Sequence, residues 1–354
     1  MVAMLEIDGA YGEGGGQLLR TAVALAALTG MATRISNIRA GRAKPGLAAQ
    51  HVAAVRAVAE LSQARVDGLA LQAGQIEFTP GVLRGGSFRF DIGTAGSMTL
   101  VLQALIPVAI AGGAACQVAI TGGTDVRGAP PLDYVRQVLL PLLRRMGAKL
   151  DLEVRRRGYY PRGGGEIGIS FSHATLQPQR WENPGRLRRV GGLAHVANLP
   201  SGVAERMRDA ALLQLSLARV TATIDTAILG REQAIGRGGA VVIWAETGDT
   251  VLGAGLVAER GVRAETLGEA VGRDLADDLA AGIALDVRAA DQILVYLALA
   301  GGESSFTART LTGHARTAMW LIEQFLPVRF DTSGMEGRVL VRVVPRRRGR
   351  SRPT

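Results

Sequence analysis

The chain has 354 residues, 47% of them apolar, and a formal net charge of +10. This length is enough for roughly two domains with a large buried core. No run of about 18 uncharged apolar residues occurs, so the sequence predicts no membrane span. Its start lacks the basic and apolar regions of a signal peptide, which makes the cytoplasm the expected location. Cys116 is the only cysteine, so an intrachain disulfide and a cysteine-ligated metal cluster are excluded.

Strands and helices alternate along the chain. The predicted pairs are Met4–Ile7 with helix Gln17–Leu28, Ser87–Ile92 with Met98–Ala111, Cys116–Thr121 with Asp133–Met146, and Ser304–Arg309 with His314–Phe325. Further helices are predicted at Gly46–Leu61 and Ala289–Ala300, and a hairpin at Leu150–Arg155 with Gly165–Phe171. Such alternation with short loops is typical of the α/β class. Its recurrence indicates repeated βαβ-containing units rather than one doubly wound sheet.

A stretch from about Pro184 to Ala284 interrupts this recurrence with a pattern of its own. Strands are predicted there at Gly191–Ala197, Thr221–Asp225, Val241–Ala245 and Gly253–Ala258, and helices at Val203–Leu217 and Leu267–Ala281. The predicted organisation is therefore a large domain over 1–184, an inserted small α/β domain over 185–284, and completion of the large domain over 285–344. Residues 345–354 form a basic tail, which we expect to be disordered and to bind polyanions weakly.

Two glycine clusters have arginines beside them. The first is Gly12-Glu13-Gly14-Gly15-Gly16-Gln17, followed by Arg20, and the second is the segment 159–167, which is flanked by arginines 155–157 and contains Arg162. Bare backbone amides next to guanidinium groups suit phosphate binding. The alternative, two tight turns beside solvated charges, is equally compatible with these segments alone. The first cluster lacks the Gly-Lys-Ser/Thr of a P-loop, and Gln17 replaces the last glycine of a dinucleotide fingerprint.

His314 is the candidate nucleophile. Thr312 or Gly313 can cap the helix that begins there, and apolar residues follow at helical spacing. The positive end of a helix dipole favours a neutral imidazole and attracts phosphate. A neutral imidazole beside a bound triphosphate can attack phosphorus. The alternative is an ordinary surface histidine in a first helical turn.

A basic loop contains Arg39 and Arg42, whose guanidinium groups could bind phosphates through bidentate hydrogen bonds. On the helix after the first glycine cluster, Gln17 and Arg20 share a face, with Glu13 just ahead. Glu13 could hold Mg²⁺ through oxygen or pair with an arginine. The alternative for the basic loop is a solvated surface segment.

Polar residues also occur within two predicted apolar helices. Asp291 and Gln292 could bond a base or ribose, or could simply occupy the start of their helix. Gln103 lies within the apolar helix 98–111, where a buried amide needs a partner.

These segments together resemble the RNA 3′-terminal phosphate cyclase family over nearly the whole chain. The resemblance is carried by the first glycine cluster and by the segments 39–47, 93–97, 122–125, 129–131, 157–165 and 290–292, in this order, with the His314 helix completing the set. It implies a large domain of three repeated units, each with a four-stranded sheet and two helices, interrupted by a smaller insert.

The resemblance also implies a reaction. His314 would attack the α-phosphorus of ATP and release pyrophosphate, and the AMP would pass to an RNA 3′-phosphate. The adjacent 2′-OH would then attack that phosphorus, so that AMP leaves and a 2′,3′-cyclic phosphate remains. A divalent metal, Mg²⁺ or Mn²⁺, serves the family, and Glu13 would be its ligand. Arg20, Arg39 and Arg42, with Gln17, would contact the phosphates of ATP or of the RNA end.

The adenosine pocket implied by the resemblance comprises Gln103, Pro131, Arg288, Ala289, Ala290, Asp291 and Gln292. Arg288 stands where the family often has an aromatic residue, and a guanidinium plane can also stack on adenine. Two alternatives keep a related fold without this chemistry: a non-catalytic RNA-binding or ribosome-assembly relative, and an enolpyruvyl transferase. The first lacks the nucleophilic histidine and the second does not need it.

Overall fold

A computed structural model describes residues 4–346, and the predicted basic tail lies almost entirely outside these described residues. The first unit consists of β1 (Leu5–Asp8), α1 (Gly16–Thr29), β2 (Thr33–Ser36), α2 (Ala49–Leu61), β3 (Arg65–Asp67) and β4 (Ile76–Thr79). Its sheet has the order β1-β2-β4-β3, with β1 and β2 parallel and the other pairs antiparallel.

The second unit repeats this arrangement. It consists of β5 (Gly86–Asp91), α3 (Met98–Ala111), β6 (Cys116–Gly122), α4 (Leu132–Tyr134), a π-helical turn (Val135–Leu139), α5 (Leu140–Arg145), β7 (Lys149–Gly158) and β8 (Gly165–Ser172). The sheet runs β5-β6-β8-β7, with β5 parallel to β6. The predicted helix at Met98–Ala111 is confirmed with the same bounds.

The third unit has the same order again, because its sheet runs β9-β15-β17-β16 with β9 parallel to β15. Its elements are β9 (Arg180–Trp181), α8 (Val287–Leu299), β15 (Ser304–Ala308), α9 (Gly313–Phe325), β16 (Val328–Met335) and β17 (Arg338–Pro345). A single apolar core joins residues of all three units. The predicted α/β class with repeated units is therefore confirmed.

The insert enters the third unit between its first strand and its first helix. It contains β10 (Leu187–Ala197), α6 (Ser201–Leu217), β11 (Thr223–Leu229), β12 (Ala234–Ile235), β13 (Gly238–Thr247), β14 (Val251–Val257) and α7 (Ala264–Ala280). Its four-stranded sheet, β11-β10-β13-β14, and its two helices enclose a separate apolar core. The short strand β12 pairs with β7, so the second sheet has five strands rather than the four expected.

The predicted helix at Asp133–Met146 differs from the structure, since a π-helical turn at Val135–Leu139 divides it. The turn lies immediately before the segment that contains Pro141. A proline has no N–H to donate to the carbonyl four residues earlier, here that of Gln137, and its ring crowds that carbonyl. Hydrophobic periodicity carries no sign of this local change. No helix among residues 4–346 is long and apolar enough to cross a membrane.

A buried ionic cluster joins the second unit to the insert. The Arg157 guanidinium lies 3.1 Å from Asp125 Oδ2 and 2.7 Å from Asp133 Oδ2, and all three side chains are at most 9% exposed. His195 of the insert adds its Nε2, 2.9 Å from the Tyr159 hydroxyl. Burial opposes ionisation of Asp125, but Arg157 and the other partners hold the pKa of this carboxyl below its usual value.

We expect Arg157→Met to lower the unfolding free energy by about 3–5 kcal/mol, because it leaves two buried carboxylates without their cation. Urea unfolding at neutral pH measures this. Arg155→Met is the matched control on the same strand, since the Arg155 side chain is 45% exposed and pairs at the surface. Its expected effect is below about 1 kcal/mol. Equal losses for the two variants would contradict the assigned role of the cluster.

Candidate active site

A cleft of about 660 Å³ lies between the first glycine loop, the helices α3 and α8, the start of α9, and the insert. The predicted site residues that line it are Gln17, Arg20, Arg39, Arg42, Gln103, Arg288, Asp291, Gln292 and His314. These residues come from segments up to about 300 positions apart in sequence, and the fold brings them to one place. A depression of about 650 Å³ on the outer face of the second sheet contains none of them.

Three residues predicted for the adenosine pocket do not line the cleft. Ala289 and Ala290 are 0% exposed and belong to the apolar core. Pro131 is buried and directly precedes α4. The segment 288–292 is helical, so each residue turns by about 100°; positions 288, 291 and 292 share the cleft face, and the adjacent positions 289 and 290 face the core. The side chains of Ala289 and Ala290 therefore point away from the cleft, and the role of the whole run in binding adenosine stays a prediction.

His314 lies in the first turn of α9, beside the glycine loop. Thr312 caps this helix by accepting a hydrogen bond from the Ala315 N–H at 3.0 Å, and its hydroxyl donates to Asp291 Oδ1 at 2.6 Å. A methyl group added at Gly15 would lie 3.7 Å from His314 Cε1 and 3.1 Å from Arg42 Nη2. Gly15 therefore lies against both the imidazole of His314 and the guanidinium of Arg42.

Asp291 is held in the cleft in a largely dehydrated setting. Burial raises the pKa of its carboxyl to about 6, while the hydrogen bond from Thr312 acts in the opposite direction. The same contact connects α8 to the cap of α9. Asp291 thus helps to fix the start of the helix that carries His314.

Glu13 is close to His314 without lining the main cleft. Its carboxylate packs on Gly313, where an added methyl group would lie 2.2 Å from Glu13 Oε1, and it lines a small void with His314. Arg42 donates to the Glu13 carbonyl at 2.9 Å and lies 3.6 Å from Glu13 Oε2. The Glu13 side chain is 42% exposed, so its carboxylate oxygens remain accessible.

Arg20 is a buried cation whose environment lacks an acid. It is 6% exposed and makes no ion pair with any residue in 4–346, and its Nε has no hydrogen-bond partner there. Its Nη2 donates to Gln103 Oε1 at 2.9 Å, and the Gln103 amide donates to Gln292 Oε1 at 3.2 Å. Burial lowers the pKa of the Arg20 guanidinium to about 10. A buried charge without a counterion is costly, which indicates that an anion completes the site.

Arg39 and Arg42 extend this positive charge along the cleft. Arg39 donates from Nη1 to the Gly46 carbonyl at 2.6 Å, with a left-handed φ of 55°. Burial and the nearby Arg42 lower the pKa of Arg39. Three guanidinium groups and the start of α9 therefore face one volume, an arrangement suited to a polyphosphate.

His51 also lines the cleft, although the sequence did not single it out. The Ala48 N–H donates to His51 Nδ1 at 3.0 Å, so the ring proton is on Nε2. A methyl group added at Gly16 would lie 2.1 Å from that Nε2. Burial, with Arg20 and Arg39 nearby, lowers the pKa of His51 to about 3. His51 is therefore a neutral hydrogen-bond donor at the glycine loop.

This pKa predicts an acid-dependent loss of stability. The folded protein binds the His51 proton only near pH 3, whereas the unfolded chain binds it near 6.5, so stability falls as pH drops below about 6.5. We expect the wild type to lose about 2 kcal/mol more than His51→Asn between pH 7.5 and pH 5, as measured by urea unfolding. Asn can still accept from Ala48. His173→Asn, at an exposed position, is the control. Parallel pH profiles for the wild type and His51→Asn would refute the assignment.

The insert forms the opposite wall of the cleft. Leu256, Val257 and Val262 line it, and Glu259 pairs with Arg127 of the second unit at 3.1 Å. This contribution could not be predicted from sequence, because the pattern of the segment is that of a strand end and a loop. The wall is mainly apolar, so it can cover one face of a flat aromatic ligand.

The second glycine cluster lies elsewhere. It forms the loop between β7 and β8, where Gly163, with φ of 65°, approaches Thr94 and Ala95 so closely that a methyl group would clash with their backbone. None of its residues lines the cleft. The cluster therefore forms a tight turn, and phosphate binding by it stays a prediction.

Comparison with known proteins gives a consistent result. A profile of the RNA 3′-terminal phosphate cyclase family matches residues 11–332. A protein of that name from Nitrosospira multiformis is 51% identical over 349 residues, which is 98% of this chain and 99% of the relative. Proteins of the same name from Hyperthermus butylicus and Methanopyrus kandleri are 46% and 43% identical, covering 92% and 95% of this chain and 92% and 97% of their own lengths.

Proposed function

Because the chain belongs to the RNA 3′-terminal phosphate cyclase family, we propose that it converts RNA 3′-phosphate ends to 2′,3′-cyclic phosphates with consumption of ATP. The observation that carries this proposal is Arg20, a buried guanidinium without an acid partner among residues 4–346, in the same cleft as His314. The cleft can therefore bind an anion, and a candidate nucleophile lies at its edge.

In the first step His314 attacks the α-phosphorus of ATP. A bond forms between an imidazole nitrogen and phosphorus, the bond from the α-phosphorus to the bridging oxygen breaks, and pyrophosphate leaves. Arg20, Arg39 and Arg42 offset the charge that develops on the phosphate oxygens. The fixed cap of α9, held by Thr312 and Asp291, keeps the imidazole in position without reorganisation.

In the second step a 3′-phosphate oxygen of RNA attacks the adenylate. The nitrogen–phosphorus bond breaks, a diphosphate linkage forms, and His314 is free again. The neighbouring 2′-oxygen then attacks the RNA phosphorus, its proton is lost to solvent or a base, and AMP leaves. A phosphate monoester is a poor electrophile, so this activation by a good leaving group is chemically necessary. The net products are AMP, pyrophosphate and the cyclic end.

The nucleoside of ATP fits between α8 and the insert. Arg288, Asp291 and Gln292 line that part of the cleft, and the apolar residues of the insert face them. The Arg288 guanidinium can stack on adenine in place of an aromatic ring. Gln103 lines the cleft as well, and its amide bridges Arg20 and Gln292. It holds the phosphate-binding arginine in place.

Glu13 is the residue that would hold a divalent cation. No cluster of three or more His, Cys, Asp or Glu side chains within 4–346 is placed to bind a metal. Mg²⁺ commonly uses one or two carboxylates together with substrate phosphates and water, and an accessible carboxylate beside the phosphate-binding arginines fits that pattern. A bound Mg²⁺ or Mn²⁺ would neutralise charge on the phosphates.

A phosphatase-protection experiment tests this function. RNA labelled at its 3′-phosphate is incubated with protein, ATP and Mg²⁺, and then with phosphatase. The proposal predicts label that resists the phosphatase, together with release of AMP and pyrophosphate. A non-catalytic RNA-binding relative, or an enolpyruvyl transferase, would leave all of the label sensitive to the phosphatase. That outcome would reject the proposed activity.

A further inference from the structure

An aromatic pair lies near the cleft without lining it. The Tyr11 ring stacks on Trp320 with ring centroids 3.8 Å apart and planes inclined by 22°. Tyr11 is nevertheless 44% exposed, whereas large apolar and aromatic side chains are usually covered. Because Trp320 covers one face of the Tyr11 ring, the exposed area belongs to the opposite face and the ring edge. The pair therefore presents a flat aromatic surface to solvent.

This surface lies further along α9 than His314, because the glycine loop runs along that helix. Glu13 packs on Gly313, the Glu13 N–H donates to Thr317 Oγ1 at 3.2 Å, and Tyr11 stacks on Trp320. Residues earlier in the loop therefore contact residues later in the helix. Trp320 is six residues beyond His314, which corresponds to about 9 Å along the helix axis.

The charge around the pair favours a polyanion. Arg316 lies four residues before Trp320, and residues at that spacing are neighbours on a helix surface. Arg316 is exposed, and it forms no ion pair with any residue that the structure describes. The half-exposed Arg42 contacts Glu13, two residues after Tyr11, and lines the cleft. Glu323, three residues after Trp320, is paired with Arg346. Arg316 therefore supplies positive charge beside the aromatic face, and this combination suits single-stranded nucleic acid.

We propose that Tyr11, supported by Trp320, stacks on a base of the RNA substrate near its 3′ end. The axial separation of about 9 Å, with Trp320 about 120° around the helix from His314, exceeds the length of one nucleotide, so we place the stacked base at the second or third nucleotide from the 3′-phosphate. This inference rests on the proposed function for the position of the 3′ end. Stacking tolerates every base, so the surface selects polynucleotide ends over 3′-phosphorylated mononucleotides without selecting a sequence.

A purely structural role for the pair makes a different prediction. If Tyr11 only held the glycine loop in place, its loss would displace Glu13 and impair the reaction of His314 with ATP in the absence of RNA. If Tyr11 stacks on RNA, its loss weakens RNA binding and leaves that reaction intact. The two measurements therefore separate the roles.

The test uses RNA with a 3′-phosphate and 2-aminopurine at the second, third or eighth nucleotide from that end, without ATP. We expect the wild type to quench fluorescence at the second or third position and not at the eighth. Tyr11→Leu should lose this quenching and bind the RNA about tenfold more weakly. Tyr11→Phe keeps the ring and should behave like the wild type. Tyr160→Leu, which changes an 80% exposed tyrosine outside the cleft, is the matched control.

Unchanged RNA affinity in Tyr11→Leu would overturn the proposal. So would absence of quenching at both near positions in the wild type, or an equal loss in Tyr160→Leu. Labelling of each variant with ATP alone tests the loop role, and a defect there without weaker RNA binding would also overturn the proposal. A wild type that binds RNA but takes up no label would count against the proposed reaction and would leave the stacking result standing.

Discussion

Replacement of His314 by alanine is expected to reduce RNA cyclisation by at least about 10⁴-fold, because the variant lacks the imidazole that we propose accepts the adenylate. The measurement is single-turnover formation of phosphatase-resistant ends at saturating ATP. ATP binding should change little, since the arginines and the nucleoside pocket are untouched. The loss should therefore appear in the chemical step.

His173→Ala is the matched control for this prediction. His173 is exposed, and its Nδ1 lies 2.8 Å from the Gly113 carbonyl on the second unit, away from the cleft-lining residues. Its substitution should leave the rate within about twofold. Cyclisation by His314→Ala at a rate comparable to that of the wild type would mean that the adenylate forms elsewhere.

Arg20→Met is expected to lower activity and raise stability together. Loss of a guanidinium that faces phosphate oxygens should reduce the rate about 10²–10³-fold. Removal of a buried, unpaired charge should raise the unfolding free energy by about 1–3 kcal/mol, because burial lowers the pKa of Arg20 to about 10 and each pKa unit corresponds to about 1.4 kcal/mol. Such opposite effects are typical of residues selected for function rather than stability.

Steady-state kinetics and urea unfolding of the same preparation measure both effects. Arg65→Met, at a side chain that is 79% exposed, should change neither. An Arg20→Met protein that is less stable than the wild type, with activity retained, would show that Arg20 serves the fold and not the ligand.

The local sequence pattern was sufficient to predict many of the helices and strands of this fold. The segment 98–111 is a nearly continuous apolar run of helical length, and the observed helix has the predicted bounds. The segment after Thr312 combines a capping hydroxyl with apolar residues at helical spacing, so the helix that carries His314 could be placed from sequence. Both signals lie within one helix and need no knowledge of distant contacts.

The site was harder to predict where it depends on distant segments or on helix phase. His51 stands within the apolar helix Ala49–Leu61, where its pattern is that of a core residue, and only the fold brings Arg20 and Gly16 to it. The insert wall at Val257 and Val262 comes from a separate domain. Ala289 and Ala290 were predicted as part of a run, but the helix turns them into the core.

The most direct test of the account is to locate the adenylate on the protein. The wild type is incubated with ATP and Mg²⁺ without RNA, digested under alkaline conditions that preserve a phosphoramidate, and mapped by mass spectrometry. The account predicts one modified peptide, which contains His314, with a modification that is stable to alkali and lost in acid. Adenylate on Lys44, Lys149 or another histidine, or persistence of the modification in His314→Ala, would contradict it.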